Sequence, residues 1–401
     1  MRLTRELASS VNFIDGTIPP VREIVIVIPD LYLDPSPEAP WASSTDTRAN
    51  AREPVPAGTP PGAAAPGTLS GFEHAARFAT RRSIAAEGGW RPWLARWLGR
   101  PDLAAHAPAT VAATALRSPT FEAQQRSPST GAAAAVTSPA GTAWLATPVH
   151  MVAGLTNLHL DRRGLLRLSP EDLASLAQDF NRTFGDTDLH LEPLPNGEFL
   201  LRGPGAWNAV TTEPARALVA DLESSLPKGN AANALKRLGA ELEMWLHSHS
   251  LNDARRRRGE TPVSTLWLWG GGVLESLKST RAPLTDLACG SDPYLAGLWH
   301  LQGATTGASP DRFGDLLSDP KPERATLVLE ITPLLQTNPN WTVFEALVDL
   351  DRRYLSPALA ALHARALESV VLVANDMEVR LRRGDRLKFW RRARPGLGAI
   401  L

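Results

Sequence analysis

The sequence predicts a mixed α/β fold, a mostly parallel sheet carrying an inserted α+β subdomain. Three observations lead there. Ile24-Val25-Ile26-Val27-Ile28 is an unbroken β-branched run, which suits a strand buried on both faces. Two more apolar runs, Ala325 to Ile331 and Val370 to Ala374, read as further strands far downstream. Between them, residues 144–226 switch to short strands, turns and a capped helix, the pattern of a small α+β module.

The first strand closes on Pro29-Asp30. An Asp just past the carboxyl end of a buried strand stands where α/β folds place ligand chemistry. Asp30 is therefore a weak candidate metal ligand, its plainer role being a turn or cap residue. Residues 35–70 are rich in Pro, Ala, Ser, Thr and Gly and read as a low-complexity linker that cannot bury enough surface to offset chain entropy. Residues 71–103 read as a helical segment, with Phe72, Ala75, Ala76 and Phe78, then Trp90, Trp93, Trp97 and Leu98 at helical spacing. Residues 104–140 form a second low-complexity linker. The expected organisation is thus 1–34 for the first core strand, 141–226 for the inserted subdomain, and 227–401 for the rest of the core with a basic tail.

Within the insert, Asn157 to Leu160 and Leu165 to Leu168 read as strands around a charged turn, Asp161-Arg162-Arg163-Gly164. Ser169-Pro170-Glu171-Asp172 opens a helix with a capping serine, a proline in the first turn and acids at its positive end. Pro195-Asn196-Gly197 signals a hairpin. A helix from Ala231 to His249 leads through an arginine run into a strand that ends in Gly270-Gly271-Gly272, where the missing Cβ atoms let backbone N–H groups approach a ligand. The triplet lacks the spacing of a dinucleotide fingerprint or a P-loop. Downstream, Phe344 to Leu350 and Ser356 to Leu367 read as helices, and Val370 to Ala374 with Met377 to Leu381 as a hairpin turning at Asn375-Asp376. The tail from Arg380 to Arg394 reads as a solvated face or partner-docking edge.

With 401 residues, 43% of them hydrophobic, the chain can bury a large core. Lys plus Arg and Asp plus Glu both number 42, so no overall field favours nucleic acid or a membrane surface as partner. The lone Cys289 excludes a disulfide framework and a Cys-rich zinc site. The first residues carry no apolar signal region and no run is long enough to span a bilayer, so a cytoplasmic protein is expected. His247 and His249 point to different sides of a helix, which argues against a shared metal ion.

Several motifs of residues 144–272 occur in a telling order: Asp161-Arg162-Arg163, the hairpin at Asn196, His249-Ser250-Leu251-Asn252 with Arg255, and Pro262-Val263-Ser264 leading into Trp269-Gly270-Gly271-Gly272. This order resembles the archaeal-type cofactor-independent phosphoglycerate mutases of the alkaline phosphatase superfamily. The Leu-Trp-Gly-Gly-Gly strand end and Phe389-Trp390-Arg391-Arg392 are similar to the RpfE-type bacterial regulatory proteins. The resemblance implies an alkaline-phosphatase-like sheet and two-metal phosphoryl transfer to a Ser or Thr nucleophile. Leu31 stands in place of the glycine after the early Asp, and Asn375-Asp376 offers one carboxylate and no histidine. Thr212-Glu213-Pro214 replaces an Asp-Pro-His segment, and Trp269 a phosphate-facing arginine. The expectation is a catalytically degenerate protein with a regulatory or anionic-ligand-binding role, needing no cofactor and with no catalytic residue assigned. Arg162, Arg163, Asn252 and Arg255 would line a cleft beside Gly270, Gly271 and Gly272 and hold an anionic small molecule by charge-assisted hydrogen bonds, with Trp267 or Trp269 on its apolar side. A regulatory protein partner is the other expected class. The alternative is an active Mn- or Zn-dependent mutase or phosphohydrolase drawing on Asp30, Asp34, Asp376 and His159 or His300.

Overall fold

The computed structural model describes residues 23–31, 69–116, 141–153, 158–204, 207–218, 222–280, 286–317 and 323–385. In chain order its strands are β1 (Glu23–Ile28), β2 (Thr80–Ser83), β3 (Thr142–Ala153), β4 (Leu158–Leu165), β5 (His190–Pro193), β6 (Phe199–Gly203), β7 (Thr265–Val273), β8 (Asp286–Cys289), β9 (Arg324–Val328), β10 (Ser369–Ala374) and β11 (Met377–Arg382). The longer helices are α1 (Ser70–Phe78), α2 (Trp90–Trp97), α3 (Pro108–Leu116), α4 (Pro170–Thr183), α5 (Ala232–His247), α6 (Ser250–Arg257), α7 (Pro293–His300), α8 (Val343–Leu350) and α9 (Ser356–His363).

Six strands make the first sheet, in the order β2-β11-β10-β1-β9-β8. The four from β10 to β8 are parallel, and β11 and β2 add an antiparallel edge. β1 lies inside this sheet, which explains its unbroken apolar run. Ile24, Ile26 and Ile28 face a core closed by α1, α8 and α9. Val25 and Val27 face the opposite core, against α2 and α7. Burying each such side chain contributes about 1.5–3 kcal/mol relative to exposure. The expected mixed, mostly parallel α/β architecture is therefore present.

The second sheet interrupts the first between β2 and β8. In it β3 pairs antiparallel with β4, β6 and β7, and β5 pairs with β6. Successive β3 residues again serve two faces. Trp144 and Ala146 pack under α4 and α5, while Ala143 and Leu145 pack against α3. The expected cap is formed, with Ser169 accepting a hydrogen bond from the Asp172 backbone N–H at the start of α4. Both expected turns are formed too, with Gly197 at φ +86° and Asn375 at φ +50°.

Several elements differ from the sequence reading. Asp161–Gly164 lie within β4 and do not form a separate turn between two strands. They stand outside the register with β3, which passes from Leu160 opposite Met151 to Leu165 opposite Val149 across an irregularity. Thr80–Ser83, within the expected helical segment, is instead the strand β2 paired with β11. Residues 108–116 of the expected linker are helix α3, whose Ala109, Val111, Ala112 and Ala113 are buried. Small side chains let α3 pack so closely on α7 that a Cβ at Gly297 would overlap the Val111 carbonyl. The second sheet continues past residue 226: Leu235, Leu238, Leu242 and Leu246 form one stripe of α5 that packs on it, and β7 completes it. Gly270–Gly272 do stand at the end of β7, which closes at Val273. Residues 32–68 and 117–140, most of the two expected low-complexity segments, and Phe389–Arg392 of the tail lie outside the described residues. Among the described residues no helix is long and apolar enough to cross a membrane.

Candidate functional site

Each of the four parallel strands is followed, two or three residues past its carboxyl end, by an acid: Asp30 after β1, Asp292 after β8, Glu330 after β9 and Asp376 after β10. Because the strands are parallel and adjacent, these acids share one edge of the sheet, where α/β folds place their chemistry. The second sheet abuts the same edge, and a cavity of about 20 Å³ there is lined by Asp30, Glu330, Asp292, Arg91, Arg167, Glu198, Glu213, Thr147 and Trp269, among others.

Every one of these acids already has partners. Asp30 accepts hydrogen bonds from the Ile331 and Thr332 backbone N–H groups and from Thr332 Oγ1, at 2.7–2.8 Å, tying β1 to the helical turn Thr332–Thr337. Asp292 caps α7 through the Tyr294 and Leu295 N–H groups and receives Arg91 Nη2 at 2.8 Å. The other arm of Arg91 reaches Glu213 at 2.8 Å, and its guanidinium lies between the Trp90 and Trp269 rings, 4.4 and 4.7 Å from their centroids. Burial alone would lower its proton affinity, but Asp292 and Glu213 more than offset that and hold it firmly charged. Arg216 forms a forked pair with Asp376. Arg167 gives Nη1 to Glu198 at 2.8 Å and faces Glu330 at 3.3–3.4 Å. Glu198 is further held by Thr147 and Asn196, both at 2.7 Å. Burial, reinforced by Asp30, Glu198 and Asp292 and opposed by Arg167, pushes the Glu330 carboxyl up to about 7.

This donor set does not fit a two-metal centre. Guanidinium groups occupy the neighbourhood of the carboxylates, and a divalent cation beside them would meet like charge. His159 lies on β4 and His300 at the end of α7, while Asp34 is outside the described residues. Among the described residues no group of three or more His, Cys, Asp or Glu is arranged to hold a metal ion.

A second space, a groove of about 720 Å³, lies between the second sheet's helices and residues 332–339 of the core. Arg163, Arg167, Arg255 and Arg258 line it together with Glu171, Asp172 and Glu260, over an apolar floor that includes Leu166 and Leu335. Arg163 and Arg255 thus line one groove, whose walls do not include Asn252 or Gly270–Gly272. Arg163 is exposed and donates to the Pro339 and Trp341 carbonyls. Arg255 is buried and bound to Asp172, Glu260 and the Thr261 carbonyl. Arg162 lies on β4, its side chain outside the described residues. Asn252 is buried, and its amide joins Leu246 and Val263. Trp269 lines the small cavity and not the groove, with its indole N–H on Thr147. The glycines serve close packing: a Cβ at Gly271 would overlap the Trp144 ring, and one at Gly272 would overlap Ala107. Arg91, Arg167, Glu198, Asp292 and Glu330 escaped the sequence reading. The recurrence of an acid just beyond each parallel strand is the signal for Asp292 and Glu330, whereas Arg91, Arg167 and Glu198 join them only through the folded geometry.

No family model matches the chain. Over 120 residues it is 31% identical to 2,3-bisphosphoglycerate-independent phosphoglycerate mutase 2 of Methanothermobacter thermautotrophicus, a match covering 27% of this chain and 29% of that protein. The match thus spans less than a third of the length of this curated relative. Among solved structures the chain is similar to a cofactor-independent phosphoglycerate mutase from Thermoplasma acidophilum, with TM-score 0.35 and 14% identity, covering 90% of each chain. It is similar as well to the PH0037 protein of Pyrococcus horikoshii, with TM-score 0.41 and 11% identity, covering 90% of this chain and 86% of that one. Scores this low assign neither a substrate nor a reaction. What stands is a mixed α/β protein with a distant, partial relationship to cofactor-independent phosphoglycerate mutases.

Proposed function

We propose that this protein is a catalytically degenerate relative of the phosphoglycerate mutases, with a regulatory or anionic-ligand-binding role. The observation that carries this reading is the engagement of all four strand-end acids: three by arginine, and Asp30 by backbone N–H groups and a threonine hydroxyl. Metal-assisted phosphoryl transfer needs carboxylates open to cations. Here Glu330 and Asp376 pair with arginines of the inserted unit, and Asp30 and Asp292 are held by groups of the core. The groove supplies the binding half of the proposal, since its size suits a small molecule and the half-exposed Arg258, paired with Asp172 and Glu260, is a cation for which an incoming anion would compete with those carboxylates.

The test is metal content and turnover of the purified chain. After dialysis against manganese and zinc, the protein should hold no stoichiometric metal and should not convert 3-phosphoglycerate. It should bind inorganic phosphate or 3-phosphoglycerate in a calorimetric titration, and Arg258→Ala should weaken that binding several-fold. Two tightly held ions with mutase turnover would overturn the degenerate reading. Failure of both anions to bind would remove the anionic-ligand role.

A further inference from the structure

The strand-end cluster gathers six carboxyl groups, Asp30, Glu198, Glu213, Asp292, Glu330 and Asp376, against three guanidiniums, Arg91, Arg167 and Arg216. Taking charge out of water is costly unless it is balanced. A proton on one acid lowers the imbalance, and it goes to the acid that other groups hold least. Asp30 has three donors at 2.7–2.8 Å, and Asp292 has three at 2.8–3.1 Å. Glu198 has three at 2.7–2.8 Å. Glu213 has Arg91 at 2.8 Å, and Asp376 has a forked arginine. Among the described residues Glu330 has only the two long contacts from Arg167, and its side chain is 8% exposed.

We propose that the inserted sheet docks on the carboxyl edge of the parallel sheet through a proton-linked clasp, with Glu330 as the residue that takes up the proton. Arg167 and Glu198 face Glu330 from the second sheet, Asp30 from the loop after β1 and Asp292 from the start of α7. Arg91 and Glu213 line the same cavity. With Glu330 protonated, Arg167 is left to Glu198 and the two sheets meet with less surplus charge. Once Glu330 ionises, the cluster gains a charge that one loosely placed guanidinium must balance. The elevated proton affinity of Glu330 agrees with this placement. An unfolded glutamate loses its proton near 4.5 and the folded one near 7, so the stabilisation is complete below the lower value and is lost as pH rises through the upper. The groove has walls from both sheets' units, so a change in docking reaches it.

The test compares wild type with Glu330→Gln by urea unfolding and amide hydrogen exchange between about pH 5 and about pH 8. Relative to the variant, the wild-type unfolding constant should rise up to roughly tenfold per pH unit from about pH 5 to about pH 7 and level off above it, with exchange quickening in β4 and β6. If Glu330→Gln keeps the wild-type slope, the clasp is not proton-linked through Glu330. Should that variant not fold, carboxyl-carbon NMR of glutamate-labelled wild type decides. One carboxyl titrating near neutrality supports the proposal, and all titrating in the ordinary acidic range overturns it. Ligand binding plays no part in these readouts.

Discussion

Asn252 joins three backbone groups at once: its amide nitrogen donates to the Leu246 and Val263 carbonyls, and its oxygen accepts from the Val263 N–H. It is 2% exposed, so water cannot replace these bonds. Asn252→Ala leaves them unmet and is expected to cost on the order of 3 kcal/mol of unfolding free energy, measured by urea denaturation. A sequence shows that an asparagine stands in a polar motif, but not that its partners lie 6 and 11 positions away on a returning chain. Arg255 teaches the same lesson, because the Asp172 it meets belongs to a different helix. Asp30 was legible as the acid after a buried strand. Its use, capping the turn at Thr332, depends on a segment some 300 residues away.

At the scale of elements, β7 decides how closely α3 and β3 approach. Gly271 lies against the Trp144 ring and Gly272 against Ala107 and Thr110. Gly271→Ala is expected to destabilise the fold by about 1–3 kcal/mol, the usual cost of overpacking, with exchange protection lost first in β3 and β7. A circular-dichroism melt unchanged from wild type would show that the indole can step aside. Elements whose signals are local were readable: the β-branched run of β1, the Ser169-Pro170 start of α4, and the turns at Asn196-Gly197 and Asn375-Asp376. α3 was hidden because alanine and threonine, which make a helix pack tightly, also make a sequence look like linker. β2 was hidden because four residues with two arginines carry no apolar period, and only pairing with β11 makes them a strand.

For the molecule as a whole, the contact between the sheets depends on few charges. Arg91 joins the Glu213 loop to Asp292 at the head of α7 and fills the space between two indoles. Arg91→Met keeps much of the volume but leaves Asp292 without its cation. It is expected to cost about 3–5 kcal/mol in urea unfolding, and adding Glu213→Gln should recover part of the loss. A loss under about 1 kcal/mol would place this pair among ordinary surface bridges. The chain path has a consequence in time. Ile24 pairs with Ala325 and Val370, whereas β5 pairs with the β6 that follows it closely. On a ribosome, the second sheet's hairpins meet their partners while β1 still waits for strands not yet made. Until β9 and β10 emerge, β1 is an apolar ribbon with two open edges, and this is where a nascent chain most needs a chaperone.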